Sequence, residues 1–133
     1  MKKEQRRRLS KIILTLLVVA VMVSPKLRAQ MFVLFNAGRV EAYYTEEKEL
    51  PKRLEEKASV YRGRHEMVEF ALFSLSAPYS GCYYSPDDVP LAFQNVDVTL
   101  TQEGHDYWEW EDSGNHGATE KLRDCWYYYK AWL

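Results

Sequence analysis

Met67-Val-Glu-Phe-Ala-Leu-Phe-Ser74 is the stretch from which the fold is read. Met67, Glu69, Ala71 and Phe73 alternate with Val68, Phe70, Leu72 and Ser74, and a period of two predicts a β-strand buried on at least one side. Downstream the pattern repeats in short pieces. Ser76-Ala-Pro-Tyr-Ser-Gly81 reads as a loop and Cys82-Tyr-Tyr84 as a short strand. Ser85-Pro-Asp-Asp88 reads as a turn with proline at its first central position. Val96, Val98 and Leu100 alternate with Asp97, Thr99 and Thr101 as a half-exposed strand, and Gln102-Glu-Gly104 turns the chain. Asp106 to Asp112 follows as a strand with Trp108 and Trp110 on one face and Glu109 and Glu111 on the other. Ser113-Gly-Asn-His-Gly117 reads as a long turn, and Arg123 to Leu133 as a final, strongly aromatic strand.

Upstream, the period is helical. From Gly38 to Val60 the residues Val40, Tyr43, Tyr44, Leu50, Leu54 and Ala58 form a stripe on a charge-rich segment, with Tyr61 continuing it. Pro51 either starts a second helix or marks a break, and Gly63 closes the helical region. The expected fold class is α+β, with a helical segment packed on a four- to five-stranded antiparallel meander. Residues 1–29 stand apart as a signal or anchor, 30–64 as the helical segment and 65–133 as the sheet, with 30–133 forming one globular unit.

The amino-terminal segment indicates location. Residues 1–11 carry six Lys/Arg against one Glu, and an apolar run from Ile12 to Val23 follows directly. Basic-then-apolar order is the pattern read by export machinery, with the basic end kept inside. As helix, those twelve residues span roughly 18 Å against a hydrocarbon core of about 30 Å. Two readings stay open. One is cleavage after Leu27-Arg-Ala29. The other is retention, with a kinked helix from Leu9 to Phe35 spanning the membrane while Lys26 and Arg28 snorkel outward. Lipoprotein attachment is excluded because the first cysteine is Cys82.

Charge divides at the same place. Residues 1–29 hold eight Lys/Arg and one Glu, whereas 30–133 hold ten Lys/Arg and eighteen Asp/Glu, a net of −8. Such a surface repels phosphate backbones, so nucleic acid is excluded as a partner. Cationic peptides, basic glycans and divalent metal are the partners that acidity would attract, and solubility is its plainest use. The two cysteines, Cys82 and Cys125, lie in matching aromatic contexts, and outside the cytosol an even pair reads as a disulfide. Closing that loop would contribute roughly 4 kcal/mol on the chain-entropy view.

Gly81-Cys-Tyr-Tyr-Ser-Pro-Asp-Asp-Val-Pro90, Trp108-Glu-Trp110 and Asp124-Cys-Trp-Tyr-Tyr-Tyr-Lys-Ala-Trp132 resemble a group of small exported bacterial proteins. These carry an N-terminal membrane helix, a Tyr-Tyr-Ser-Pro-Asp-Asp motif and an aromatic C-terminal strand. The likeness covers roughly residues 65–133. It implies the fold and export but no established activity, and it implies that the cysteine pair is an added staple.

Catalytic motifs are thin: the chain contains no G-x-S-x-G, H-E-x-x-H, P-loop or C-x-x-C sequence. Asp87, Asp88, Glu109, Glu111, Asp112 and Glu120 could supply a carboxylate pair to a hydrolase. His105, Asp106, Asp112 and His116 are the residues available to a metal, and Asp87–Asp88 or Asp106–Asp112 to calcium, but no EF-hand loop is present. Neither a metal nor a cofactor is expected. Twelve aromatic residues between positions 79 and 133 are the stronger lead. On the last strand Trp126, Tyr128, Lys130 and Trp132 share one face and Tyr127, Tyr129, Ala131 and Leu133 the other. One face must be core. The first is expected to pack beside Val68 or Phe70, leaving the second under the helix or in solvent. The candidate binding surface is Tyr83, Tyr84, Asp87, Asp88, Trp108 and Trp110, suited to a peptide or glycan. The expectation is an acidic binding protein outside the membrane, held by residues 9–35. A small carboxylate hydrolase and a toxin-neutralising protein are the alternatives.

Overall fold

The structure is a computed structural model that describes residues 2–133. Its elements in chain order are α1 (Lys3–Val23), α2 (Pro25–Thr45), α3 (Lys52–Glu55), β1 (Ala58–Arg62), β2 (Glu66–Phe73) and β3 (Tyr79–Tyr84). A short 3₁₀ turn (Phe93–Asn95) leads to β4 (Thr101–Gly104), β5 (Tyr107–Asp112), β6 (Asn115–Arg123) and β7 (Trp126–Trp132). The class is α+β. The seven strands form one antiparallel sheet in the order β1-β2-β3-β7-β6-β5-β4. Two meanders, β1–β3 and β4–β7, are therefore zipped together along β3 and β7.

Seven strands replace the four to five expected: β1, β4 and β6 are additions. β4 (Thr101–Gly104) runs through the residues expected to turn the chain at Gln102-Glu-Gly104, and β1 and β6 went unread for physical reasons. β1 lies inside the segment read as helical, at a sheet edge where Ser59 and Val60 stay exposed, so no apolar alternation marks it. β6 was hidden by small residues, Gly117-Ala-Thr119. A Cβ on Gly117 would lie 2.6 Å from the Trp110 ring and from the Lys130 carbonyl oxygen. The size that conceals the strand is the size its neighbours demand. The β5–β6 turn is also shorter than expected. Ser113 (φ 50°) and Gly114 (φ 89°) alone close it, with the two positive φ values that the strand twist requires of a two-residue hairpin. Conversely, Val96–Leu100 is not a strand. It crosses the sheet as irregular chain.

The helical region also begins earlier than the sequence indicated. Ser24 ends α1, and its hydroxyl caps α2 by accepting the Leu27 N–H at 3.2 Å, with Pro25 in the first turn. The two helices meet at 104°. The kinked helix expected from Leu9 to Phe35 is broken at Ser24, and beyond the break α2 buries Ala29, Val33, Asn36, Ala37 and Val40, a stripe at helical spacing that docks on β2, β3 and β7. α1, by contrast, buries nothing. Among the described residues no single helix is long and apolar enough to cross a membrane, while the bent pair passes that test together. Pro51 precedes the single turn of α3, whose Leu54 plugs the same core. Gly63 lies in the β1–β2 turn and ends no helix.

Both faces of the sheet are covered. Under α2 lie Val68, Phe70, Cys82, Tyr84, Trp126 and Tyr128, as expected for the Trp126 face. Trp126 is fully buried, stacked 6.2 Å from Phe70, and donates its indole N–H to Glu41 Oε1 at 3.2 Å. The Tyr127/Tyr129 face is neither under the helix nor in solvent. The chain returning from β3 to β4 covers it, placing Leu91 against Met67, Tyr83, Tyr127 and Tyr129 and Val98 and Leu100 against Trp110.

The expected disulfide is not formed: Cys82 and Cys125 are free thiols. The register explains why. Cys82 sits opposite Tyr128, three positions along β7 from Cys125, so their Cα atoms are separated by roughly 10 Å at about 3.3 Å per residue. A bridge needs less than about 7 Å. Matching aromatic contexts reflected adjacent strands but not opposed positions.

Candidate functional site

The six residues read as a binding surface turn out to be occupied within the fold. Tyr83 is fully buried and its ring stacks on Tyr127 with centroids 5.1 Å apart. Its hydroxyl accepts the Leu91 N–H at 2.9 Å and lies 2.6 Å from Thr119 Oγ1. Tyr84 packs under α2 against Trp126. Ser85-Pro-Asp-Asp88 is the turn the sequence indicated, closed by the Asp88 N–H donating to the Ser85 carbonyl at 2.9 Å. Asp88 then serves as a staple: its carboxylate accepts the Cys125 N–H (2.8 Å), the Tyr127 hydroxyl (3.0 Å) and the Lys121 ammonium (2.8 Å). Burial acts to raise its pKa, and those three donors outweigh it and hold the carboxyl below the usual carboxylate range. Asp87 pairs with His65 Nδ1 at 2.9 Å. Trp108 leans on Tyr127 and Trp110 is 6% exposed. The motif is a device that fastens the β3–β4 connection to β6 and β7, and no exposed aromatic platform results.

The other residues weighed for chemistry disperse. Glu109 accepts the Tyr107 hydroxyl and Glu120 pairs with Lys26. Glu109 and Glu111 line an open concavity of about 630 Å³ with Glu103, Lys130 and Trp132, where their carboxylates stand in solvent. His105 pairs with Asp106 at 3.4 Å, whereas His116 stacks on Trp132 with ring centroids 4.8 Å apart. Among the described residues no three His, Cys, Asp or Glu converge as metal ligands.

A different carboxylate occupies the most unusual position. Glu69, on β2, is 3% exposed, and its Oε1 has no hydrogen-bond partner among the described residues. It faces a cleft of about 360 Å³ between the sheet and the 3₁₀ turn. Ser59 and Tyr61 of β1 form one wall, and Tyr79, Phe93 and Tyr129 supply aromatic surface opposite. Tyr79 and Phe93 stack with centroids 6.3 Å apart, and Phe93 meets Tyr129 at 5.5 Å.

Local sequence builds this arrangement. Ser59 pairs with Glu69 across β1–β2, and its small side chain leaves the mouth open. Tyr129 reaches β2 by crossing Gly81 on the intervening strand. A Cβ there would sit 2.9 Å from the Tyr129 hydroxyl and 2.2 Å from the Phe70 carbonyl oxygen, so glycine is required for close approach. The Tyr129 hydroxyl faces the carboxylate but has no hydrogen bond of good geometry. Burial pushes Glu69 up to about 7, opposed only in part by that hydroxyl, and burial together with Glu69 drives the Tyr129 phenol upward as well. Leaving a carboxylate buried and unpaired is costly, and strongly perturbed groups in clefts mark functional sites.

Sequence reasoning placed Glu69 on the right strand and passed over it. Its signal was present: a lone acid in Met67-Val-Glu-Phe-Ala-Leu-Phe73, a run apolar on both faces, where an ionisable group has no solvent-facing side to occupy.

No protein-family model matches the chain, and no curated protein sequence or solved structure matches it either.

Proposed function

We propose that this chain is an acidic binding protein held at a membrane by residues 9–35, with its sheet domain on the extracytoplasmic side and its ligand taken up in the Glu69 cleft. The observation that carries the reading is the unpartnered, buried Glu69 carboxylate at the floor of an aromatic-lined opening, a mostly apolar site with one orienting polar group. α1 supports the tether. Its basic residues precede an apolar run whose Leu14, Leu16, Leu17, Met22 and Val23 are all exposed, a surface that calls for lipid. Retention is favoured over cleavage because Ala29 is fully buried. Removing residues 1–29 would strip the Ser24 cap, the first turn of α2 and the Lys26–Glu120 ion pair. The resemblance of residues 65–133 to small exported proteins points the same way. A carboxylate hydrolase needs a second acid converging on the first, and among the described residues Glu69 is the only one lining the cleft.

The test is a single reporter. Ser59→Cys, exposed at the cleft mouth, is made in a Cys125→Ser background, with the buried Cys82 left in place. A membrane-impermeant maleimide should label it in intact spheroplasts. Labelling only after permeabilisation overturns the extracytoplasmic placement. No labelling even then overturns the open cleft.

A further inference from the structure

We propose that the Glu69 cleft is a site for a primary ammonium group carried on an unbranched aliphatic chain, a chemistry shared by free alkylamines and the lysine side chain. The inference rests on the reading of the cleft as the binding site and names what it binds.

The charge comes first. Glu69 is 3% exposed with Oε1 unpartnered, and no lysine or arginine lines the cleft among the described residues. A buried carboxylate is tolerated when a cation meets it, so the missing partner is a cation from outside. The walls define its kind. Tyr61, Tyr79, Phe93 and Tyr129 present aromatic surface around the carboxylate, and ammonium groups are attracted to ring faces within about 6 Å. A bare divalent ion is a poor fit, because calcium takes six to eight oxygen ligands and one carboxylate supplies too few. Anions are excluded by Glu69 itself. About 360 Å³ is ample for a flexible chain of about four carbons. The net charge of −8 over residues 30–133 adds a field that concentrates cations at the mouth.

Proton linkage gives a second signature. The groups facing Glu69 are Tyr61 on β1, Tyr83 on β3 and Tyr129 on β7, with Phe93 and Gln94 from the 3₁₀ turn, all neutral near pH 7. With burial holding Glu69 at about 7, an arriving ammonium ion favours the carboxylate and expels its proton.

The experiment is calorimetric titration of the full chain in detergent with n-butylammonium, using n-butanol as the neutral control. The wild type should bind n-butylammonium at least tenfold more tightly than n-butanol at pH 8. At pH 6.5 the heat should vary with the ionisation enthalpy of the buffer. Glu69→Gln, which keeps shape, should abolish the preference and the buffer dependence. Nα-acetyl-lysine methylamide separates the sources: binding as tight as n-butylammonium assigns the site to lysine side chains, and much weaker binding assigns it to free amines. Equal affinity for n-butylammonium and n-butanol, with both lost in Ala71→Trp, discards the ammonium but keeps the cleft as a binding site. Binding that survives Glu69→Gln unchanged, or no binding of either probe, overturns the proposal, and the cleft itself is judged separately by Ser59→Cys labelling.

Discussion

Replacing Glu69 by glutamine should stabilise the protein at alkaline pH and leave it unchanged in acid. Buried as it is, the carboxyl titrates at about 7 in the fold against an ordinary value of 4.5. The folded state therefore holds the proton more tightly than the unfolded chain. The stability this contributes is complete below pH 4.5, falls as pH rises from 4.5 to about 7, and is flat above. The gap corresponds to about 3 kcal/mol at 1.4 kcal/mol per tenfold change. Glutamine carries no such charge. Urea unfolding of both proteins at pH 4.5, 6 and 8 isolates the effect, because carboxylates such as Asp88 act identically in each. At pH 8 the variant should be more stable by about 3 kcal/mol, a midpoint shift of about 1–3 M for a domain of this size. At pH 4.5 the two curves should coincide within about 0.5 kcal/mol. Identical stability at pH 8, or a difference that does not change with pH, would mean that the carboxylate is solvated or paired, and the site would lose its basis.

Asp88→Ala should lower stability by about 1–3 kcal/mol, since it leaves the Cys125 N–H and the Tyr127 hydroxyl without their acceptor. Because its pKa is depressed, the wild type should lose that contribution as pH falls through the acidic range, a loss absent from the variant and readable by near-UV circular dichroism. Gly81→Ala places a Cβ 2.2 Å from the Phe70 carbonyl oxygen and should either prevent folding or cost more than about 2 kcal/mol by urea titration. Trp126→Ala removes the stack on Phe70 and the bond to Glu41, and a loss of about 3–5 kcal/mol is expected in the same assay. Thiol titration of unfolded, unreduced protein should find two free sulfhydryls per chain, and a reductant should leave the melting temperature unmoved.

Residues whose side chains declare their environment were read correctly from sequence. The alternation in Met67–Phe73, the Ser85–Asp88 turn and the pairing of Trp126 and Tyr128 with Val68 and Phe70 all reappear in the structure, because large apolar side chains at period two leave little choice of face. Strands that advertise nothing were missed. β1 is an edge with exposed Ser59 and Val60, and β6 must be small at Gly117 to clear Trp110. The candidate site failed for a related reason. Aromatic, acid-rich runs such as Tyr83–Asp88 suggest a surface, yet their hydroxyls and carboxylates satisfy one another and backbone groups at the β3–β7 seam. The cleft needs Glu69, Ser59, Tyr79, Phe93 and Tyr129 from four strands and a turn. Only the register of the sheet and the return of the chain over it bring those five together.

The most direct measurement is the protonation state of Glu69 itself, followed by the ¹³C chemical shift of its carboxyl carbon in glutamate-labelled protein and assigned by loss of the signal in Glu69→Gln. A midpoint near pH 7, moved to lower pH when n-butylammonium is added but not when n-butanol is, is the result expected of a buried, unpaired carboxylate awaiting a cation. A midpoint at 4 to 5, indifferent to the amine, would contradict it.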